Sequence, residues 1–277
     1  MYSRDDVCAA IISYNCDDMI CENIQSLLNQ LKHVCVIDNG SSKKSIDILS
    51  KWEKTKDVTI IYKNENKGVA QRLNEALVWA DNNGYRLLLM MDQDTVLLDG
   101  CVEKMLFVMN QDERYASVGP NRKHKLTHGF KETTYLITSG NLVVIQAAKK
   151  AGGFMSDLFI DLVDIEFSLA MRKAGYCLVV SNGALMRHCV GIKETRKIMG
   201  FTFNYQSHSP QRFFYIYRNH VIVVKKYFKQ FPVFCIKMLV SLCIDSIKMC
   251  FENESKQKRR MAYKGFMEGM RLVREQT

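Results

Sequence analysis

RLLLMMDQDT, residues 86–95, decides the fold. The run Arg86–Met91 reads as a strand, and its apolar residues follow one another without alternation, as in a strand covered on both faces. It runs directly into Asp92-Gln93-Asp94. Side chains alternate along a strand, so the two carboxylates point roughly the same way. A D-x-D tripeptide by itself is a common solvated turn. At the edge of a buried sheet it is a pair of hard oxygen donors suited to Mg²⁺ or Mn²⁺, ions held by one or two carboxylates together with substrate phosphates.

Upstream, the same design repeats. Val7–Ser13, His33–Asp38 and Val58–Lys63 are further short apolar runs. Between them lie Asp18–Leu31, Ser45–Lys54 and Val69–Ala80, the first and last with apolar residues at helical spacing. Strand and helix alternate about every 25 residues, which predicts parallel strands joined by crossover helices. In such sheets ligands sit outside the carboxyl ends of the strands. Four polar clusters fall there: Ser13-Tyr14-Asn15, Asp38-Asn39, Asn64–Gly68 and Asp92–Asp94. Past residue 100 the alternation loosens. A helix is expected over Asp164–Ala174, ended by Gly175, then a strand over Tyr176–Ser181 and a helical stretch over Pro210–Phe228.

The 277 residues are 47% hydrophobic and 25% charged, which excludes wholesale disorder and low-complexity fibre. Ten cysteines are scattered singly, without CxxC spacing, and are expected to be reduced, buried thiols. No stretch of about 18 residues lacks charge, so no spanning helix is expected. The N-terminus carries acids before a short apolar run and is not expected to be a signal peptide. The net charge of +10 is uneven: residues 1–185 hold 21 Lys+Arg against 23 Asp+Glu, residues 186–277 hold 18 against 6. The basic character of the last third suggests an anionic partner such as lipid headgroups, nucleic acid or a phosphorylated substrate, or else a solvated basic face.

The first strand–helix turn lacks the G-x-G-x-x-G fingerprint, and no GxxxxGK[ST] loop occurs, which disfavours dinucleotide and P-loop enzymes. In order and spacing, AAIISYN, VIDNGSS, NENKGVAQRLNEAL, LLLMMDQDT, TSGNLVV, FIDLVDIEFSLAMRKAGY and HCVG resemble family 2 glycosyltransferases of the GT-A fold. Within that family the chain is most similar to bacterial rhamnosyltransferases of polysaccharide assembly. The resemblance covers about residues 6–225 and implies an α/β fold: a Rossmann-like, mixed and mainly parallel sheet flanked by helices. Residues 1–225 would be the catalytic domain, and 226–277 a basic amphipathic helical extension.

The resemblance also implies roles. Asp38 would contact the nucleotide base or ribose; Asn39 stands where many relatives have a second acid. Tyr14 and Asn15 would line the base pocket, and Lys67, Gly68 and Asn74 lie in the segment that covers the nucleotide. Asp94 would coordinate the metal, Asp92 the metal and the sugar or ribose, and His188 would be a further ligand. Asp164 aligns with the base that takes the acceptor hydroxyl's proton, with attack opposite the leaving diphosphate inverting configuration. Relatives usually have Glu-Asp there; here Val163 replaces the Glu, and Asp161 and Glu166 are candidates for its contact. Ser139, Gly140, Asn141 and Arg218 would face the acceptor.

From Phe231 to Phe251 the chain is apolar but interrupted by Lys237, Asp245 and Lys248. Such a segment suits a helix lying at a lipid surface, followed by the cations Lys256, Lys258, Arg259 and Arg260. A helical extension packed on the domain, or a homodimer through the same apolar face, would use the same pattern. The expected enzyme moves L-rhamnose from dTDP-L-rhamnose to a lipid-linked oligosaccharide, peripherally at the cytoplasmic face of the plasma membrane. The alternatives are a UDP-hexose or UDP-N-acetylhexosamine transferase of the same fold, and a non-catalytic basic membrane- or nucleic-acid-binding module. No RNP, KH or helix-turn-helix signature is present, so nucleic acid is not an expected partner.

Overall fold

The four apolar runs are strands β1 (Val7–Ser13), β2 (Val34–Asp38), β3 (Val58–Tyr62) and β4 (Leu87–Asp92). In the computed structural model, residues 1–121, 128–188, 193–198, 201–206 and 208–275 are described, those at 188, 193–198 and 201–206 as backbone alone. The four strands lie parallel in the order β3-β2-β1-β4. β1 and β2 are buried at every position, which is why their sequences are continuous apolar runs rather than alternations. The crossovers are α1 (Met19–Leu28), α2 (Lys43–Leu49) and α3 (Val69–Asn82). Helix α1 buries Ile20, Ile24 and Leu27, and α3 buries Leu73, Ala76, Leu77 and Ala80, the faces that their periodicity predicts.

Beyond β4 the sheet becomes mixed. In chain order come β5 (Thr95–Leu97), α4 (Cys101–Met109), β6 (Tyr115–Asn121), β7 (Phe130–Thr133), β8 (Asn141–Val144), α5 (Ile145–Lys150), α6 (Val163–Lys173) and β9 (Cys177–His188). β8 runs antiparallel to both β4 and β6, and β6 runs parallel to β9. The long β9 also carries β5 and β7 as antiparallel neighbours. Among the described residues the order is β3-β2-β1-β4-β8-β6-β9-β5, with β7 beside β9. Strands β1, β2 and β4 and helices α1 and α4 share one core that includes Ile11, Ile24, Val36, Leu89 and Met105. The described cysteines are all free, and burial pushes the Cys35 thiol up to about 12.

The chain divides into two compact units, Met1–Phe159 with Val163–Cys189, and Ile160–Leu162 with Val190–Thr277. The second holds an antiparallel pair, β10 (Lys193–Ile198) and β11 (Phe201–Gln206), and helices α7 (Pro210–Tyr227), α8 (Pro232–Met249) and α9 (Ser255–Glu275). Ser209 caps α7 by accepting from the Arg212 N–H, and Pro210 occupies the first turn, where no N–H is needed. Helix α9 lies against α7 at two glycines. A Cβ on Gly265 would collide with the Phe214 carbonyl oxygen, and one on Gly269 would fall 2.8 Å from that of Arg218. Among the described residues no helix is long and apolar enough to cross a membrane.

Candidate active site

Strand register assembles the carboxyl edge. Ser13 at the end of β1 lies opposite Asp38 at the end of β2, and Ile12 lies opposite Asp92 at the end of β4. Asp38 and Asp92 are thus on either side of one strand, about 10 Å apart at two strand spacings. The turns that follow these strands are cross-linked. Tyr14, 46% exposed, donates its backbone N–H to Gln93 Oε1 at 2.8 Å. Asn15, at φ +50°, donates its N–H to Ser41 Oγ and accepts from the Ser42 N–H.

Asp38 is fully buried. Its carboxylate accepts the N–H groups of Gly40 (3.2 Å) and Ser41 (3.0 Å) and the Ser41 hydroxyl, so it shapes the turn after β2. Asn39 binds the loop 64–68. It accepts from the Lys67 N–H (3.1 Å) and from Arg72 Nε (2.7 Å), and donates to Asn66 Oδ1 (2.9 Å). The donation needs an amide, which accounts for Asn rather than Asp at this position. Arg72, 3% exposed, completes the web by donating to the Glu65 carbonyl (2.7 Å) and to Glu75 (2.6 Å). Burial pushes the Glu75 carboxyl up, but hydrogen bonds and charge from Lys63 and Arg72 outweigh it and hold it below the usual range. Lys67 itself is exposed and pairs with Glu65 at 2.9 Å.

Gly68 opens α3 at φ +83°, ψ +163°, a region essentially reserved for glycine. It packs on Phe159, whose carbonyl accepts the Val69 N–H at 2.7 Å. Asn74 uses its amide on the loop after α5: it accepts from the Phe154 N–H and donates to the Phe154 carbonyl, both at 2.8 Å, and to Ser156 Oγ. That loop leads by way of Phe159 to α6. Asp164 therefore starts its helix a few residues from the contact with Gly68 at the carboxyl edge, in the first turn, where an anion is stabilised.

The D-x-D is held from behind. The Asp92 N–H donates to Ser139 Oγ (3.1 Å), which in turn donates to Thr95 Oγ1 (2.8 Å). Asn23 of α1 donates to the Asp92 carbonyl at 2.7 Å. Gly140 donates to the Met90 carbonyl, and the close approach its missing Cβ allows is to Pro120 and Met186. Asn141 is buried and accepts from Ser117 Oγ at 2.7 Å. The Asp92 and Asp94 side chains are half-buried. Their oxygens fit a hard divalent ion that keeps positions for phosphate and water. Among the described residues no group of three or more His, Cys, Asp or Glu is arranged as a metal cage. His188 pairs in register with Thr95, next to Asp94, and its side chain lies outside the described residues.

Asp161 and Arg218 fall in the C-terminal unit. Arg212 grips Asp161 with two nitrogens at 2.9–3.1 Å. The fully buried Asn219 donates to the carbonyls of Ile160 (2.7 Å) and Asp161 (2.8 Å) and accepts from Arg218 Nε (3.0 Å). Asp161 and Leu162 are held at φ +63° and +60°, uncommon for residues with side chains. Glu166 is buried on α6. Asn66 lies in the polar cluster Asn64–Gly68 that the sequence points to, whereas sequence reasoning missed Asn23, Arg72, Thr95 and Arg212. Each of these is an ordinary polar residue in a helix or a short strand, and no signal in one sequence separates it from a solvated one.

The glycosyl transferase family 2 model matches residues 8–173. A curated relative, dTDP-rhamnosyl transferase RfbF of Shigella flexneri, is 26% identical over 250 residues, 80% of this chain and 81% of its own. Among solved structures, GalNAc-T7 with UDP, GalNAc and Mn²⁺ superposes with a TM-score of 0.65 at 12% identity, over 96% of this chain and 56% of that one. The mannosyltransferase PcManGT of Pyrobaculum calidifontis, in complex with GDP-Man and Mn²⁺, does so at 0.58 and 12% identity, over 96% of this chain and 86% of that one. These likenesses identify the GT-A fold. The family match runs from β1 to the end of α6, so it takes in the carboxyl edge, the D-x-D and Asp164, and the chain is a glycosyltransferase that belongs to family 2.

Proposed function

We propose that this glycosyltransferase moves L-rhamnose from dTDP-L-rhamnose, with inversion, to a lipid-linked oligosaccharide at the cytoplasmic face of the plasma membrane. Residues 1–225 form the catalytic domain and 226–277 the basic extension. The similarity to a dTDP-rhamnosyl transferase over four-fifths of both chains supports the donor. The observation that carries the chemistry is the strand register that sets Asp38 and Asp92-Gln93-Asp94 on one sheet edge, with the α6 start reached through Phe159 on Gly68.

The turns after β1 and β2 and the loop 64–68 receive the nucleoside: Tyr14 offers an exposed ring, and Asn15, Asp38 and Asn39 hold the backbone that surrounds it. Asp92 and Asp94, with His188 as a third ligand, would hold Mg²⁺ or Mn²⁺, which when bound would supply positive charge to offset that growing on the departing diphosphate. Asp164 accepts the proton of the acceptor hydroxyl as that oxygen attacks the anomeric carbon from the face opposite the diphosphate. Ser139, Asn141 and Asn74 spend their side chains on the protein, so their part is to keep strand ends and loops in place. Glu166 of α6 and, separately, Asp161 and Arg218 of the C-terminal unit are the candidate acceptor contacts.

Release of nucleoside diphosphate from a panel of dTDP-, UDP- and GDP-sugars, with Mg²⁺, Mn²⁺ or a chelator, tests the proposal. dTDP-rhamnose should turn over, the chelator should stop it, and Asp94→Ala should abolish it. Turnover of a UDP-hexose or UDP-N-acetylhexosamine without dTDP-rhamnose would replace the rhamnose assignment. Indifference to Asp94→Ala would return the chain to the class of basic binding modules.

A further inference from the structure

Helix α8 is apolar on both sides. One side packs inside the C-terminal unit through Cys235, Met238 and Met249, which are buried. On the other, Val233, Ile236, Val240, Ile244 and Ile247 are 49–65% exposed. At 3.6 residues per turn these five fall within an arc of about 80°, which Leu239 and Cys243 widen to about 140°. A helix apolar all round is normally a buried one, and an apolar stripe four turns long marks an interaction site. Phe228 and Phe251, both exposed, stand just beyond its two ends.

Charge decides what covers the stripe. Exposed cations precede the helix (Lys225, Lys226, Lys229) and follow it (Lys256, Arg259, Arg260), and Lys237 borders the stripe. Of the two charges on the last turns, Lys248 pairs with Asp245 at 3.0 Å and cancels it. The spacing of the five residues would also suit a second copy of the helix. That arrangement, however, would bring two strongly basic surfaces together, whereas an anionic bilayer satisfies both the apolar arc and the cations around it.

We propose that the outer stripe of α8 lies in the headgroup region of an anionic membrane, with the flanking lysines and arginines on lipid phosphates. This deepens the reading of a lipid-linked acceptor and rests on it for its purpose, but not for its physics. The test is sedimentation of the full chain with vesicles of phosphatidylcholine alone or with about a third phosphatidylglycerol, at low and high salt. The chain should sediment with the anionic vesicles and be released by salt. Ile236→Asp with Ile244→Asp should lower partitioning on the order of 100-fold, and Lys256→Gln with Arg259→Gln about fivefold for each charge removed. A tryptophan at the stripe's centre, V240W, should shift its emission to the blue on the vesicles and be quenched by brominated lipid. Three results would overturn the proposal: no sedimentation with anionic vesicles, unchanged V240W emission, or a stable dimer that the double Asp variant converts to monomers. Donor hydrolysis is read separately in every variant. Its loss from the wild type would sink the transferase reading, and its persistence without vesicle binding would sink only this one.

Discussion

The two units invert the usual inside–outside rule in opposite senses. In the N-terminal unit polar groups are buried: Asp38, Asn39, Arg72, Ser139 and Asn141 are all at most 3% exposed. In the C-terminal unit apolar groups are exposed along α8 and at Tyr263, Phe266 and Met267 of α9. Burial of a polar group costs a few kcal/mol unless it is bonded, and the buried edge residues are bonded to strand ends and loops. Their bonds within the protein fix the turns and loop that form the edge. On the C-terminal unit the apolar side chains of α8 stay exposed, with an anionic membrane as their proposed partner. Substitutions at the edge should therefore damage turnover and folding, and those on the stripe should spare both.

The largest expected effect is on chemistry alone. Asp164→Asn keeps the size of the side chain and removes the base. Transfer should fall on the order of 10²–10⁴-fold with donor affinity retained, measured as turnover beside calorimetric titration of dTDP. Vesicle binding should not change, which sharpens the separation of the two units. Near-normal turnover would move the base to another acid.

Next in size is Gly68→Ala. The new methyl would stand 2.5 Å from the Phe159 carbonyl oxygen and 2.6 Å from its Cα, at φ +83° and ψ +163°. The strain and the displaced contact should cost about 3 kcal/mol, read from denaturant midpoints. Arg72→Met should cost about 2 kcal/mol, because it leaves Asn39 Oδ1, the Glu65 carbonyl and Glu75 short of a donor. It should also raise KM for the donor more than it lowers kcat, since the loop 64–68 loses its tether. A fall in kcat with KM unchanged would mean that the web serves stability only.

The contrast between the units explains what the sequence discloses. The strands β1 to β4 are legible because parallel strands covered on both faces must be apolar throughout, and the two longer crossover helices carry a clean stripe. Beyond residue 100 the signal fails for physical reasons. β6 contains Gly119 and Pro120, residues that read as a turn; Gly119 is there because a Cβ would meet Leu136 at 2.7 Å. β5 and β8 are only three and four residues long, too short for a period to register. The carboxyl edge that forms the candidate site is legible where charge sits at or just past a strand end, as at Asp38, Asp92 and Asp94. It is illegible at Arg72, where an arginine on α3 reads as solvent-facing and is instead the centre of a buried web. The basic asymmetry of residues 186–277 was visible from composition, but the division of α8 into packed and exposed apolar faces needed the fold.

The smallest effect probes the interior of the C-terminal unit. His220 and His208 both have their pKa pushed down from 6.5, chiefly by burial. The Ile216 carbonyl, bonded to His220 Nδ1 at 2.8 Å, opposes that shift, and the Arg212 charge adds to the one on His208. Arg212 and Lys258 disfavour the charged form of His208 while Asp161 and Glu252 favour it; Asp161 and Asp245 favour the charged form of His220. In the N-terminal unit His33 is lowered by burial too, against the pull of Asp57. Below pH 6.5 the unfolded chain binds protons at these histidines that the folded chain does not, so stability falls as the pH falls. The loss begins at the unfolded value of 6.5 and continues until the folded pKa is passed. Denaturant midpoints should therefore drop between pH 7 and 5, and His220→Gln should flatten that slope without changing the midpoint's dependence on vesicles or on dTDP. A slope unchanged by His220→Gln and abolished by His33→Gln would place the acid sensitivity in the N-terminal unit and reverse the comparison.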